Sequence, residues 1–219
     1  MEDAHVNTTE YGRIERMTQK RQRSGAKRLG EPTLTASDWI EAALQLIAEV
    51  GPARLTVDTL AVRLGVTKGS FYWHFQSRTE LLEATLERWE QRATTETMKA
   101  LDQVPDPRRR LELILDAASR EPRSHSLYAA LAEASGDKRV RRVLDRVASR
   151  RIQYLESCYL EFGLSQPDAY ARALLTYSAY RGLLQLAREA PSLLPKDWST
   201  YPLTVREVLI PAQGTRKNT

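Results

Sequence analysis

Apolar residues recur at helical spacing along most of the chain, and no stretch shows the alternation of apolar and polar residues that is typical of a strand. Glycine, proline and capping residues stand between the apolar stretches. The pattern predicts helices over residues 35–50, 57–64, 68–74, 78–101, 107–120, 125–135, 138–162, 166–190 and 201–210. We therefore expect an all-α fold, in which Ile40, Ala43, Leu44 and Ile47 form the apolar face of helix 35–50.

Two short predicted helices lie close together in the stretch Leu55 to Arg78, LTVDTLAVRLGVTKGSFYWHFQSR. The first should end at Gly65, and the hydroxyl of Thr67 is expected to cap the second. Two short helices around a glycine-containing turn predict a helix-turn-helix. The second helix should turn Val66, Phe71 and Phe75 inward. Its other face should expose small, basic and aromatic side chains: Lys68, Ser70, Tyr72, Trp73 and His74. Such a face suits the major groove of DNA.

An αα-hairpin inside a larger core is the alternative for this stretch. In that case the rings of Tyr72, Trp73 and His74 would be ordinary packing residues. The two hypotheses differ in whether these rings are exposed or buried.

The string GVTKGSFYWHF followed by QSRTELL resembles the DNA-reading signature of the tetracycline-repressor (TetR) family, GVSxGTxYxHF followed by a Lys or Arg and a pair of Leu. The resemblance runs from Thr35 to about Leu82. Phe71 stands where the family more often has Leu, and Trp73 falls at a variable position, so the operator sequence stays open.

The resemblance implies DNA contacts from two groups of residues. Base edges would be met by Thr67, Gly69, Ser70 and Trp73, and phosphates by Lys68, Tyr72, His74 and Arg78. Thr35 and Thr56, at predicted helix starts, complete the candidate set.

Charge and apolar spacing together divide the chain into a basic, disordered arm (1–33), a three-helix helix-turn-helix head (34–80), a helical body (81–211) and a disordered tail (212–219). The resemblance implies that the body binds an effector and dimerises. Residues 11–30 hold seven Lys or Arg against one acid, whereas residues 34–80 hold four against five. The arm could lie along phosphates or in a minor groove, or it could serve only as a solvated tail.

The predicted helix 166–190 is apolar around most of its girth, which indicates burial on more than one side. A second subunit could cover one side, or the helix could be central to a single subunit. The resemblance implies a homodimer paired through the last two long helices around a two-fold axis. Candidate interface residues are Ala171, Leu174, Leu175, Ser178, Gly182 and Leu186.

Aromatic and polar residues on the long helices are candidates for a small-molecule effector site, although aromatic residues at helical spacing are more often plain core. The resemblance implies such a site in the body. The candidates are Trp89, His125, Tyr128, Tyr154, Cys158, Tyr177 and Arg181.

Composition adds limits to this picture. The 219 residues carry a net charge of +5 and a pI near 9.4, which permits binding to a polyanion. A single cysteine, the absence of an apolar run long enough to span a membrane, and an N-terminus unlike a signal peptide predict a soluble cytoplasmic protein. Histidines lack metal-ligand spacing, and no nucleotide-binding or nucleophile motif occurs, so we expect no metal, no cofactor and no enzymatic activity.

The function predicted from these observations is a homodimeric transcription regulator, a repressor that binds a pseudo-palindromic operator and is released by a small molecule. The alternative is an architectural or cell-cycle DNA binder of the same fold without small-molecule control. An enclosed cavity in the body would favour the first function, and a solid body the second.

Overall fold

The computed structural model describes residues 34–119 and 125–212, and every regular element in these two ranges is helical. The all-α prediction is therefore confirmed. The α-helices are α1 (Ala36–Val50), α2 (Val57–Leu64), α3 (Lys68–Phe71), α4 (Arg78–Glu90), α5 (Thr97–Leu101), α6 (Pro107–Ala118), α7 (Ser126–Glu133), α8 (Lys138–Glu161), α9 (Gln166–Glu189) and α10 (Tyr201–Leu209). A π-helix, Gln91–Glu96, joins α4 to α5.

Helices α1 to α3 form the head, and local chemistry sets their ends. The carboxylate of Asp38 accepts hydrogen bonds from the backbone N and the hydroxyl of Thr35, each at 2.7 Å, at the start of α1. Gly65 ends α2 at φ +69°, a left-handed conformation that favours glycine. The turn after Gly65 then directs α3 across α2.

The core of the head depends on Trp39, a residue that the predicted apolar face of α1 did not include. Its side chain is fully buried and meets the ring of Phe71 edge to face, with 5.3 Å between ring centroids. Phe71 in turn stacks on Phe75 at 5.6 Å. Burial of Phe71 and Phe75 was predicted correctly, and it fixes which face of α3 points outward.

Two details of this region were predicted wrongly. Helix α3 ends at Phe71 instead of His74, because residues 72–74 continue as turns. Thr67 occupies the N-cap position of α3, but its side chain makes no capping hydrogen bond. The Thr67 hydroxyl is therefore not committed to holding the helix.

The predicted long helix 78–101 is interrupted by the π-helix, which the sequence pattern did not indicate. At its start, the Ser77 hydroxyl accepts from the Glu80 backbone N at 3.2 Å, as a capping box predicts. The reciprocal bond is displaced by one residue, since Glu80 accepts from the backbone N of Gln76 at 2.6 Å. A segment of i→i+5 hydrogen bonding within a helix is uncommon and is frequently found at functional sites.

Head and body share one hydrophobic core. Buried residues of α1 to α4 form a continuous cluster with Leu131 of α7 and with Val140 and Val147 of α8. A second cluster joins α6, α8, α9 and α10 around Tyr159, whose hydroxyl bonds to Thr176 at 2.9 Å. The head is thus built onto the body, as the small size of a three-helix core predicts.

Within the described residues, no helix is long and apolar enough to cross a membrane, and no group of His, Cys, Asp or Glu is arranged to hold a metal ion.

Candidate nucleic-acid interface and internal cavity

The outer face of the helix-turn-helix carries two exposed aromatic rings. Tyr72 is 64% exposed and Trp73 is 87% exposed, whereas Phe71 between α2 and α1 is fully buried. The αα-hairpin alternative required these outer rings to be packed inside the subunit. Their exposure excludes it, because solvation of two large aromatic surfaces serves no packing role.

The three candidate threonines of the head all lie exposed at helix N-termini. Thr35 precedes α1, Thr56 precedes α2, and Thr67 precedes α3. Thr56 accepts from the backbone N of Thr59 at 3.1 Å, so it serves its own helix. A helix N-terminus favours a nearby phosphate, because its backbone N–H groups point outward.

The exposed face of α3 also holds two small candidate residues, Gly69 and Ser70. A Cβ at Gly69 would meet only the Thr67 hydroxyl, at an ordinary 3.6 Å. The fold therefore does not demand glycine at this position. Gly69 leaves the backbone of α3 open to close approach from outside.

The candidate cations are engaged within the head itself. Lys68 forms an ion pair with Asp58 of α2, and both side chains are largely exposed. Arg78 donates to the backbone carbonyl oxygen of Pro52 at 2.7 Å and to that of Leu55. Arg78 therefore holds the turn between α1 and α2, a structural role that the sequence did not reveal. Phosphate contacts by Lys68, Arg78 and the half-buried His74 stay predictions.

The body contains a partly open cavity of about 280 Å³, near the lower end of the ~300–1,000 Å³ of small-molecule sites. Its walls come from the π-helix and from α5, α6, α8 and α9, together with His125 ahead of α7. The described lining residues are Ala93, Thr94, Thr97, Met98, Leu101, Ile114, Ala117, Ala118, His125, Arg151, Tyr154, Leu155, Thr176, Tyr177 and Tyr180.

Three of the seven predicted effector residues line this cavity: His125, Tyr154 and Tyr177. Tyr177 bonds through its hydroxyl to that of Tyr128 at 2.6 Å, and Tyr154 donates to Asp102 at 2.8 Å. Burial raises the pKa of both Tyr154 and Tyr177 above the ordinary tyrosine value. Both hydroxyls therefore stay protonated at neutral pH.

The other four predicted effector residues do not line the cavity. Trp89 and Tyr128 are buried core residues with ring centroids 5.6 Å apart, and they stand behind the wall. Arg181 lies over the Tyr128 ring, 4.8 Å from its centroid. Cys158 is fully buried in the second core cluster, where burial raises the pKa of its thiol to about 11. Packing explains Cys158 better than ligand contact does.

Sequence reasoning missed Arg151 and the threonines that line the cavity, Thr94, Thr97 and Thr176. Arg151 lies in a run of basic residues on α8, which favoured a solvated helix face. The threonines carried no periodic signal of their own. Only the packing of α8 against the π-helix places these groups together.

The six candidate interface residues on α9 are all exposed in the single chain. Leu174, Leu175 and Leu186 are 42%, 55% and 39% exposed, and the small residues between them are exposed as well. The opposite side of α9 is buried through Ala173 and Leu184. An apolar face of this size on one helix is typical of a surface that another chain covers. The basic arm, 1–33, and most of the tail, 212–219, lie outside the described residues.

Comparison with known proteins identifies the head. Residues 40–85 match the family described as bacterial regulatory proteins, tetR family. Over 48 residues the chain is 50% identical to tetracycline repressor protein class A from transposon 1721 of Escherichia coli, a match covering 22% of each chain. Over 133 residues it is 27% identical to the nucleoid occlusion factor SlmA of Marinomonas sp. (strain MWYL1), covering 57% of this chain and 68% of that protein.

The body is similar to known structures in fold. A crystal structure of a TetR transcriptional regulator from Legionella pneumophila superposes with a TM-score of 0.65 at 17% identity, covering 82% of this chain and 97% of that one. The chain spans less than half the length of several curated regulators that it matches in Pseudomonas putida. The sequence likeness is thus strongest in the head, and the structural likeness extends through the body.

Proposed function

Because this chain belongs, by its helix-turn-helix head, to the tetR family of bacterial regulatory proteins, we propose that it is a homodimeric repressor of transcription that a small molecule releases from DNA. The observation that carries the proposal is the exposed outer face of α3 and of the turn after it, with Tyr72 and Trp73 in solvent. Ser70 and Trp73 contact base edges in this proposal, and Lys68 and Tyr72 contact phosphates.

The exposed apolar face of α9 supports the homodimer. A two-fold axis at this face would bring Leu174 and Leu175 of one protomer against the same residues of its partner. Two heads related by that axis require a pseudo-palindromic site, with half-sites spaced by the body. The domain limits follow from this arrangement, with residues 34–80 contacting DNA and residues 81–211 pairing and holding the effector.

The cavity supports release by an effector. We consider two states of the dimer, one with the heads spaced to match the two half-sites and one with a different spacing. A ligand that binds the second state more tightly lowers the affinity for DNA, with a coupling free energy of typically ~1–3 kcal/mol. The π-helix lies in the wall of the cavity and in the segment that leads to the head. A change in the wall can therefore reach the head through a single helix.

Selection of bound fragments from random DNA by the purified chain tests the DNA-binding part. We expect a site with two inverted half-sites. Recovery of no preferred sequence, or of a site without inverted symmetry, would contradict the proposal. Sedimentation of the complex on the selected site gives the number of chains bound.

A second candidate function, an architectural or cell-cycle DNA binder without small-molecule control, is favoured by the likeness to SlmA over 133 residues. The cavity favours the effector-released repressor instead. A compound screen for release of the selected DNA distinguishes them, since an architectural binder would keep its DNA in the presence of every compound that the cavity accepts.

A further inference from the structure

The charged group among the described lining residues of the cavity is positive. Arg151 is the one guanidinium among the described lining residues, and no carboxylate lines the cavity among them. The remaining wall is apolar or carries hydroxyl groups, apart from the imidazole of His125. A partly buried positive charge attracts an anion more strongly than a surface arginine does, because the local dielectric constant is lower.

The partly buried arginines fall into two groups by their partners. Arg139 and Arg206 pair with the carboxylates of Asp137 and Asp116, whereas Arg151 belongs to a group whose hydrogen bonds go to carbonyl or hydroxyl oxygens. In the described part of the chain, the bonding partners of Arg151 are uncharged. It donates from Nη2 to the Ala93 carbonyl oxygen at 2.8 Å and from Nε to the Thr94 hydroxyl at 3.3 Å.

A guanidinium so placed has a better partner available in a carboxylate. Two parallel N–H groups of arginine match the two oxygens of a carboxylate, and the negative charge of the carboxylate adds an attraction that a carbonyl or hydroxyl oxygen does not offer. The Thr94 hydroxyl can donate to the same anion or to a polar substituent. The hydroxyls of Thr176 and Tyr180 already bond to Tyr159 and His125. Burial raises the pKa of Tyr180, so this hydroxyl too stays neutral and does not repel an anion.

The rest of the wall selects for a flat apolar group. The rings of Tyr154, Tyr177 and Tyr180 line the cavity together with the aliphatic side chains of Leu101 and Ile114. A planar ring system offers large contact area to such walls at little cost in conformational entropy. The volume of about 280 Å³ limits the ligand to a small one.

We propose that the cavity binds a small aromatic carboxylate, whose anionic group is received by the guanidinium of Arg151 and whose ring lies among the tyrosines of α8 and α9. This inference rests on the proposed function for its regulatory meaning, and it names the chemical class of the effector.

Binding of the carboxylate competes with the contacts that Arg151 now makes to the π-helix. The π-helix is held from the other side by Arg92, whose guanidinium pairs with Glu41 of α1 at 2.6 Å. The wall segment Arg92–Thr94 therefore joins the cavity to the first helix of the head. A ligand that draws Arg151 toward itself loosens the body's hold on this segment while the head's hold remains.

The test measures binding of 2-naphthoate and of its neutral isostere, 2-naphthamide, to the full chain without DNA by calorimetry. We expect the carboxylate to bind at least 10-fold more tightly than the amide. In Arg151→Gln this ratio should fall to about 1. Arg150→Gln is the matched control, because Arg150 is adjacent, contacts Thr95 and Glu90, and does not line the cavity; it should keep the ratio of the parent.

Equal binding of the two compounds, binding of neither, or a ratio that survives in Arg151→Gln would overturn the proposal. If Arg151→Gln fails to fold, as judged by circular dichroism, the ratio in the parent chain decides alone.

Hydrogen exchange of residues 91–97 should quicken when 2-naphthoate binds, and unchanged exchange overturns the competition with the π-helix. A third outcome separates the two proposals. If the carboxylate binds in an Arg151-dependent way but does not release the protein from its selected DNA, the proposed function as an effector-released repressor is wrong, whereas the inferred ligand class is supported.

Discussion

In the head, the side chains offered to a ligand stand on the outside of the fold, whereas in the body they line its interior. Trp73 is largely solvated, while Arg151, Tyr177 and Thr176 surround a cavity. In the head, ligand binding and folding stability therefore depend on different side chains. In the body, the same side chains contribute to both. A side chain on α3 can be removed without disturbing the core, but a wall residue of the cavity also packs against its neighbours.

Two tryptophans of the head give the strongest test of this separation. Trp39→Ala removes a fully buried ring from the contact with Phe71 and should lower the free energy of unfolding by ~3–5 kcal/mol. Trp73→Ala should change it by less than about 0.5 kcal/mol, because the ring is solvated. Urea denaturation of both variants checks the prediction. Similar losses would mean that the exposed face also supports the fold.

The outer face of α9 should behave as a third kind of surface, exposed in one chain and buried between two. Leu175→Glu places a carboxylate without a partner in the proposed interface and should weaken the dimer by about 3 kcal/mol or more. Val62→Glu, at a more exposed apolar position of the head, is the control and should leave the dimer intact. Analytical ultracentrifugation measures both, and an unchanged dimer in Leu175→Glu would remove this face from the interface.

Arg78 tests whether a candidate DNA contact in the head is instead structural. Its hydrogen bonds to the carbonyls of Pro52 and Leu55 involve a charged donor, and Arg78→Ala should lower the free energy of unfolding by ~1.5–3 kcal/mol. Thermal unfolding without DNA measures this loss. If Arg78→Ala leaves stability unchanged but weakens DNA binding, Arg78 contacts phosphate and the structural role is wrong.

The smallest effects should come from α3 and the turn after it, and they should appear only in DNA binding. Lys68→Ala should weaken binding to all sequences alike and flatten its salt dependence, after allowance for the lost ion pair with Asp58. Trp73→Ala should shift base preference by ~1–3 kcal/mol at its own position. Binding curves on the selected site and on point variants of it separate the two. A uniform loss in both would mean that the sorting into phosphate and base contacts is wrong.

Much of the head could be predicted from sequence, because its chemistry is local. Gly65, Thr56 and Ser77 mark helix ends by their own conformational and capping preferences, and Phe71 and Phe75 follow the helical period. The exposed face of α3 then follows from what the inner face buries. Trp39 was missed because the apolar face of α1 was drawn around Ile40, one residue away.

The cavity could be predicted only in part, because distant elements build it. Tyr154 and Tyr177 were candidates as aromatic residues on long helices, but Arg151 resembled its solvated neighbours on α8. Its place in the wall depends on how α8 packs against Ala93 and Thr94, more than fifty positions earlier in the chain. Trp89, Tyr128 and Tyr177 are all aromatic residues at helical spacing, but only Tyr177 lines the cavity, and the other two are core residues. The local sequence does not indicate which buried ring will border a cavity.

The π-helix between α4 and α5 also affects how the chain tolerates insertion and deletion. Its i→i+5 hydrogen bonds hold one more residue per turn than those of an α-helix. Deleting one residue within 91–96 can convert this turn to regular α-helix and leave α4 and α5 facing their present neighbours. The same deletion inside α4 would rotate the head by about 100° relative to the body. The segment 91–96 can therefore lose one residue without reorienting the head. We expect related chains that differ in the length of this helix to differ within this segment.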